Sequence, residues 1–220
     1  MLQTDVLIIG SGIAGATAAL RLAENPKRRI ALITRAPDPN DSNTNLAQGG
    51  IIHRGPDDTS DLLVEDILKA GAGASLPEAA RILAEEGPRL LDEIIIKISK
   101  IEFDRNSDNS LNYTQEAAHQ RRRILHVGDS TGAAISKGLI STLRSKPNIQ
   151  WFTDATAVDL ITYPHHSRDP LDTYKPITCH GAYVFDRKGR AVHRSLAAVT
   201  ILATGGLGRI FRNTTNPQGS

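Results

Sequence analysis

Six residues, Gly10-Ser-Gly-Ile-Ala-Gly15, constrain this chain more than any other stretch. They follow Asp5-Val-Leu-Ile-Ile9, whose unbroken branched apolar residues fit a strand buried on both faces of a parallel sheet. They open Ala14 to Glu24, where Ala, Leu and Arg favour a helix that Asn25-Pro26 closes. Arg29 to Thr34 then reads as a second strand, so strand, glycine turn, helix and strand fall within about 30 residues, the size of a βαβ unit. In that setting the three glycines have separate tasks: a tight turn, close approach of backbone to a pyrophosphate, and close helix packing. The partly positive helix N-terminus favours the phosphates. A dinucleotide is therefore the expected ligand. The second strand ends in Thr34-Arg35 and not in the acid that usually holds a ribose hydroxyl, which argues against generic NAD binding.

The rest of the chain reads as an α/β protein. Ala36 to Gly50 is a polar segment too long for a simple connection. Helical spacing follows over Asp61 to Ala70 and again after Ser75-Leu-Pro-Glu78, which has the form of a capping box. Gly87-Pro88 should interrupt that second helix, with Arg89 to Ile98 resuming it. Ile101 to Tyr113 suggests a small hairpin, and Asp129-Ser-Thr-Gly132 offers caps for a helix from about Gly132 to Arg144. The last third turns to β structure: Ile149 to Thr153, Thr156 to Thr162, Gly181 to Asp186 and Ala191 to Ala203. Tyr163 to Pro176 reads as an exposed insertion. The expected fold is thus Rossmann-like, a parallel sheet with an antiparallel β excursion.

Composition narrows the function. Across 220 residues the formal net charge is only +2, with the basic residues scattered, so neither nucleic acid nor an anionic membrane is indicated. Cys179 is the single cysteine, which excludes an internal disulfide and fits a reducing compartment. The short start before the first strand leaves no room for a signal peptide, and the apolar runs fall short of a bilayer span, so a cytoplasmic location is expected. The histidines lack metal-ligand spacing, and no metal is assigned.

Two further segments carry glycines suited to close approach of backbone to a ligand: Asn43-Thr-Asn-Leu-Ala-Gln-Gly-Gly50, and Ala203-Thr-Gly-Gly-Leu-Gly-Arg209 just after an apolar strand. With Gln115-Glu-Ala-Ala-His-Gln-Arg-Arg-Arg-Ile-Leu-His126, Asp129-Ser-Thr-Gly132 and Thr214-Thr-Asn-Pro217, they resemble the flavoprotein family of L-aspartate oxidase, the succinate dehydrogenase flavoprotein subunit and fumarate reductase, most closely its aspartate oxidase branch. The resemblance runs from Asp5 to the last residue.

The resemblance implies an FAD-binding domain over residues 1–220, incomplete because the family's capping and C-terminal helical domains are absent. Gly10, Ser11, Gly12, Ile13, Ala14 and Gly15 would wrap the FAD pyrophosphate, with Arg35 beside the adenosine end. Asn43, Thr44, Asn45, Leu46, Ala47, Gln48, Gly49 and Gly50 would run under the flavin. Ala157 and Val158 would meet the adenine, and Ala203, Thr204, Gly205 and Gly206 would form the second turn. Asn43 stands where the dehydrogenase branch has a histidine bonded to the flavin, so FAD should be non-covalent. Glu116 matches the acid beside the substrate amine, and His119 and Arg122 would help orient a dicarboxylate. Ala117-Ala118 replace the usual glycine pair after that acid. The implied reaction is oxidation of L-aspartate to iminoaspartate with oxygen or fumarate as acceptor, feeding quinolinate and NAD synthesis, with quinolinate synthase a prospective partner. The alternatives are a fumarate reductase or succinate dehydrogenase-like flavoprotein, against which Asn43 and Glu116 argue, and a non-catalytic flavin-binding fragment. The family's arginine base lies in segments not among these residues, so the 220 residues alone should not turn over aspartate.

Overall fold

The computed structural model describes residues 2–217. The chain divides into two compact units, Met1–Asn45 with Leu139–Ser220, and Leu46–Gly138.

The first unit is built on a six-stranded sheet of order β5-β2-β1-β8-β7-β6. Its parallel part comprises β5 (Ile149–Phe152), β2 (Ile30–Ile33), β1 (Leu2–Ile9) and β8 (Ala191–Leu202). β7 (Thr178–Asp186) and β6 (Ala155–Tyr163) add on antiparallel, as the sequence pattern predicts. Val6 to Ile9 and all of β2 are buried, which accounts for their unbroken apolar sequence. One core cluster joins Leu7, Ile9, Ala31, Ile33, Ala155, Ala182, Val184 and Ala197. Each fully buried Leu or Ile contributes about 1.5–3 kcal/mol. Helix α1 (Ile13–Ala23) buries Gly15, Ala16, Ala19, Leu20 and Ala23. Beyond its end the Asn148 side-chain amide donates to the carbonyls of Ala23, Asn25 and Arg28, turning the chain into β2.

The decisive feature is register. β1 and β8 are parallel neighbours with Ile9 opposite Leu202, so the glycine turns that follow them leave the sheet side by side. The Ala203 amide donates to the Ile9 carbonyl at 2.8 Å, and the Gly10 amide to that of Ile33 at 2.9 Å.

The second unit carries α3 (Ser60–Ala70), α4 (Pro77–Leu90) and a two-stranded sheet of β3 (Ile51–Ile52) and β4 (Ile124–Leu125). The short helix α2 (Asn43–Leu46) and the longer α5 (Thr131–Arg144) each begin in one unit and end in the other. Three local expectations are corrected here. Ser75 does not cap α4: the N-cap is Leu76, and the Ser75 hydroxyl instead donates to the Ile67 carbonyl near the end of α3. Gly87-Pro88 does not interrupt the helix, which runs through Pro88 and continues as a π-helical segment over Leu91–Ile98. Proline removes the amide that would bond the Ala84 carbonyl. Arg54 supplies the missing donor, its guanidinium bonding that buried carbonyl at 2.6 Å. The expected hairpin over Ile101 to Tyr113 reduces to an isolated antiparallel bridge between Arg105 and Leu111, closed by turns around Asn106 to Ser110.

Candidate functional site

A cleft of about 730 Å³ opens at the C-terminal ends of β1, β2 and β8, within the range of small-molecule sites, about 300–1,000 Å³. Gly10 to Ala14, Thr34, Arg35, Asn43, Thr44, Ala157 and Ala203 to Gly206 line it. Three segments remote in sequence thus meet around one space.

Two of the glycines, Gly10 and Gly15, are there for lack of room. Gly10 has φ +114°, and a Cβ on it would lie 2.1 Å from the Ala203 carbonyl oxygen. A Cβ on Gly15 would lie 2.0 Å from the Gly10 carbonyl oxygen, so this residue allows α1 to close onto the turn and does not itself line the cleft. Gly12 is the N-cap of α1 and has no side chain to satisfy the first-turn amides. The Thr44 hydroxyl accepts from the Ile13 amide at 3.0 Å, anchoring the Asn43–Thr44 segment to the helix start. The buried Ser11 hydroxyl donates to the Pro39 carbonyl at 2.7 Å, so Ser11 offers the cleft its backbone. A glycine-containing backbone turn at a helix N-terminus suits a pyrophosphate.

Among the lining residues that the sequence reading missed are Asp41 and Thr156. Asp41 lines the cleft, although nothing in its polar loop distinguishes it from Asp38. Thr156 lines the cleft beside Ala157, whereas Val158 is exposed and lies off the lining. Asn45 belongs to the first unit without lining the cleft.

Leu46, Ala47, Gln48, Gly49 and Gly50 lie in the second unit with Glu116, His119 and Arg122. The Gly50 amide donates to Glu116 Oε1 at 3.3 Å, and a Cβ on Gly49 would sit 3.2 Å from the same oxygen, so the glycine pair and the acid are neighbours. The Ala47 carbonyl accepts from the Gly132 amide at 2.9 Å. Glu116 stands on an exposed loop whose turn is closed by the His119 amide on the Glu116 carbonyl and by the Gln115 side chain on the His119 carbonyl. Ala118 sits there at φ +68°, a conformation suited to glycine.

Behind this loop is a network that the sequence did not reveal. Of three consecutive arginines Arg121 and Arg122 are exposed, whereas Arg123 is fully buried. Its guanidinium forms 2.7 Å ion pairs with Asp58 and Asp66, themselves almost wholly enclosed. Asp66 also accepts from the Gln120 backbone amide at 3.0 Å and its side-chain amide at 2.9 Å. Burial alone would push the Asp66 carboxyl up; the Gln120 donors and Arg123 outweigh it and hold the group below the usual carboxylate range. His119 Nδ1 lies 3.4 Å from Arg123 and 4.0 Å from Asp66. The Arg123 backbone accepts from His53 and donates to Thr114, so one residue fixes the loop to α3 and to the β3 strand end.

Fold and cleft together define an α/β protein of the dinucleotide-binding class, with a glycine-lined cleft suited to such a ligand. The model for the FAD binding domain matches residues 5–220, and the chain belongs to that family. It is 37% identical to L-aspartate oxidase 2-b of Nicotiana tabacum over 97% of this chain and 31% of that protein. It is also 37% identical to the L-aspartate oxidase of Clostridium acetobutylicum, over 99% of this chain and 46% of that one. Among solved structures, an E. coli quinol fumarate reductase FrdA variant superposes with TM-score 0.87 at 25% identity, over 99% of this chain and 35% of that one. The chain therefore spans less than half the length of these relatives. FAD is its cofactor, and the glycine-turn backbone at the start of α1 fits the pyrophosphate.

Proposed function

We propose that this chain is the FAD-binding part of an enzyme that oxidises L-aspartate to iminoaspartate. The observation that carries the reading is Glu116, an exposed carboxylate held against the Gly49-Gly50 backbone on a loop clamped by a buried charge network. A carboxylate so placed attracts the ammonium of aspartate, which succinate lacks. The identity to proteins named L-aspartate oxidase supports the same substrate.

FAD held by these residues would supply the two-electron acceptor for oxidation of the substrate amine, with oxygen or fumarate as the final acceptor. This chain's residues bind and orient. The Gly10 to Ala14 backbone holds the pyrophosphate, Arg35 and Asp41 flank the adenosine end, and Asn43, an amide, makes no covalent bond to the flavin. Glu116 holds the substrate amine, with His119 and Arg122 drawing its carboxylates. Among the described residues no helix is long and apolar enough to cross a membrane. A cytoplasmic location and a role before quinolinate formation belong to the same proposal.

The test is a chimera in which this chain replaces the matching part of the Clostridium acetobutylicum enzyme. Flavin that bleaches anaerobically with L-aspartate and not with succinate is expected, and Glu116→Gln should raise KM for aspartate. Bleaching by succinate and not by aspartate overturns the reading and favours the succinate and fumarate branch, to which the FrdA likeness points. The chain by itself is expected to bind FAD and to form no peroxide with aspartate.

A further inference from the structure

Outside the cleft, the β6–β7 connection gathers three metal-binding side chains that sequence spacing did not pair. Asp159 lies on β6, and His165 and His166 on the turn that follows it. One ligand atom from each falls within 4.8 Å of the other two. Register shifts between Ala157 and Asp159 and between Leu160 and Thr162 flank the Asp159 position, the kind of irregularity that re-aims a strand side chain. The His166 amide donates to the Thr162 carbonyl at 3.1 Å, which folds the turn back over β6. The His166 ring then packs against Tyr183, the cross-strand partner of Asp159, with centroids 5.5 Å apart.

The atoms turned away from one another are already held. Asp159 Oδ1 accepts from the Leu160 amide at 2.8 Å, which leaves Oδ2. His166 Nδ1 lies 3.1 Å from the Thr162 carbonyl and 3.3 Å from its amide. Donation from Nδ1 to that carbonyl puts the lone pair on Nε2, the second-sphere arrangement common to metal-bound histidines. Nε2 and Oδ2 are 3.6 Å apart. That is too long for a direct hydrogen bond. It is close to the edge, about 3.4 Å, of a tetrahedron with ligand bonds of about 2.0–2.1 Å. The His165 ring stands edge-on to His166 at 4.7 Å between centroids and completes three ligands, with solvent available for the fourth.

We propose that Asp159, His165 and His166 bind a borderline divalent cation of the zinc, nickel and copper class. Two imidazoles and one carboxylate suit these ions and disfavour calcium and magnesium, which take oxygen ligands. The site is independent of FAD and of the proposed reaction.

The test is calorimetric titration of ZnCl2 into the untagged, metal-stripped chain at neutral pH, with circular dichroism to check the fold. One zinc per chain is expected, with calcium giving no heat. Asp159→Asn and His166→Gln should each weaken zinc by about tenfold or more. His180→Gln, whose ring bonds the Thr178 hydroxyl and is not one of the three ligands, should bind as the parent does. No zinc binding by the folded chain, or binding that survives Asp159→Asn and His166→Gln combined or is lost equally in His180→Gln, overturns the proposal and leaves Asp159 and His166 a direct ion pair.

Discussion

The two units hold their candidate ligand-facing segments by opposite means. In the first, the turns after β1 and β8 are fixed by main-chain hydrogen bonds and by the absence of side chains at Gly10 and Gly15. In the second, the loop bearing Glu116 is fixed by charge: a buried guanidinium between two carboxylates, one of which also holds Gln120. The first device needs no partner beyond backbone and tolerates no added atom. The second tolerates changes of shape but not the loss of one charge, because each buried ion depends on the others.

The largest expected break is therefore Arg123→Ala. It leaves Asp58 and Asp66 buried without their cation, and urea unfolding should show a loss of about 3–5 kcal/mol. Arg123→Lys keeps the charge but cannot reach both carboxylates with a planar fork, so its loss should fall between the alanine variant and the parent.

Next is Gly10→Ala, which adds strain at positive φ to a clash with the Ala203 carbonyl. A loss on the order of 2–3 kcal/mol is expected in thermal unfolding, with FAD binding abolished. Arg123→Ala should affect the second unit first, so hydrogen exchange after each substitution separates the two devices.

Acid should sharpen the contrast. The folded-state carboxyl of Asp66 titrates below its unfolded value near 3.9, so its contribution is present above that pH and is lost as pH falls through the lower folded value. Asp172, in the first unit, is drawn to about 2 by Lys175 first and then by the Ser167 and Tyr163 hydroxyls, and its contribution fades between about pH 4 and 2. Acid unfolding followed by circular dichroism should steepen below about pH 4, and Asp66→Asn should flatten that slope.

The smallest effect has the opposite sign. Ala118→Gly relieves a left-handed alanine and should stabilise the second unit by about 1 kcal/mol, read as a raised urea midpoint.

The same contrast explains what the sequence made legible. A backbone that must turn sharply or lie against another segment of backbone requires glycine, so Gly10, Gly15 and Gly205 mark their own positions, and the cleft was readable from three separated segments. A charge network leaves no such mark: nothing in the spacing of Asp58, Asp66, Gln120 and Arg123 distinguishes them from solvated residues, and Arg122 was the arginine singled out. Pro88 misled for a related reason, since the donor that replaces its amide comes from Arg54, remote in sequence. The Asp159 and histidine cluster combines a strand with a later turn, so ligand spacing along the chain could not reveal it.

The central claim is that the glycine cradle holds the pyrophosphate and adenosine half of FAD. Titration of the chain with FAD, followed by flavin fluorescence and competed with ADP or with FMN, tests it most directly. Saturable FAD binding displaced by ADP, resistant to FMN and absent in Gly10→Ala, is the predicted result. FAD binding that FMN displaces and ADP does not, or that a folded Gly10→Ala variant retains in full, would contradict it.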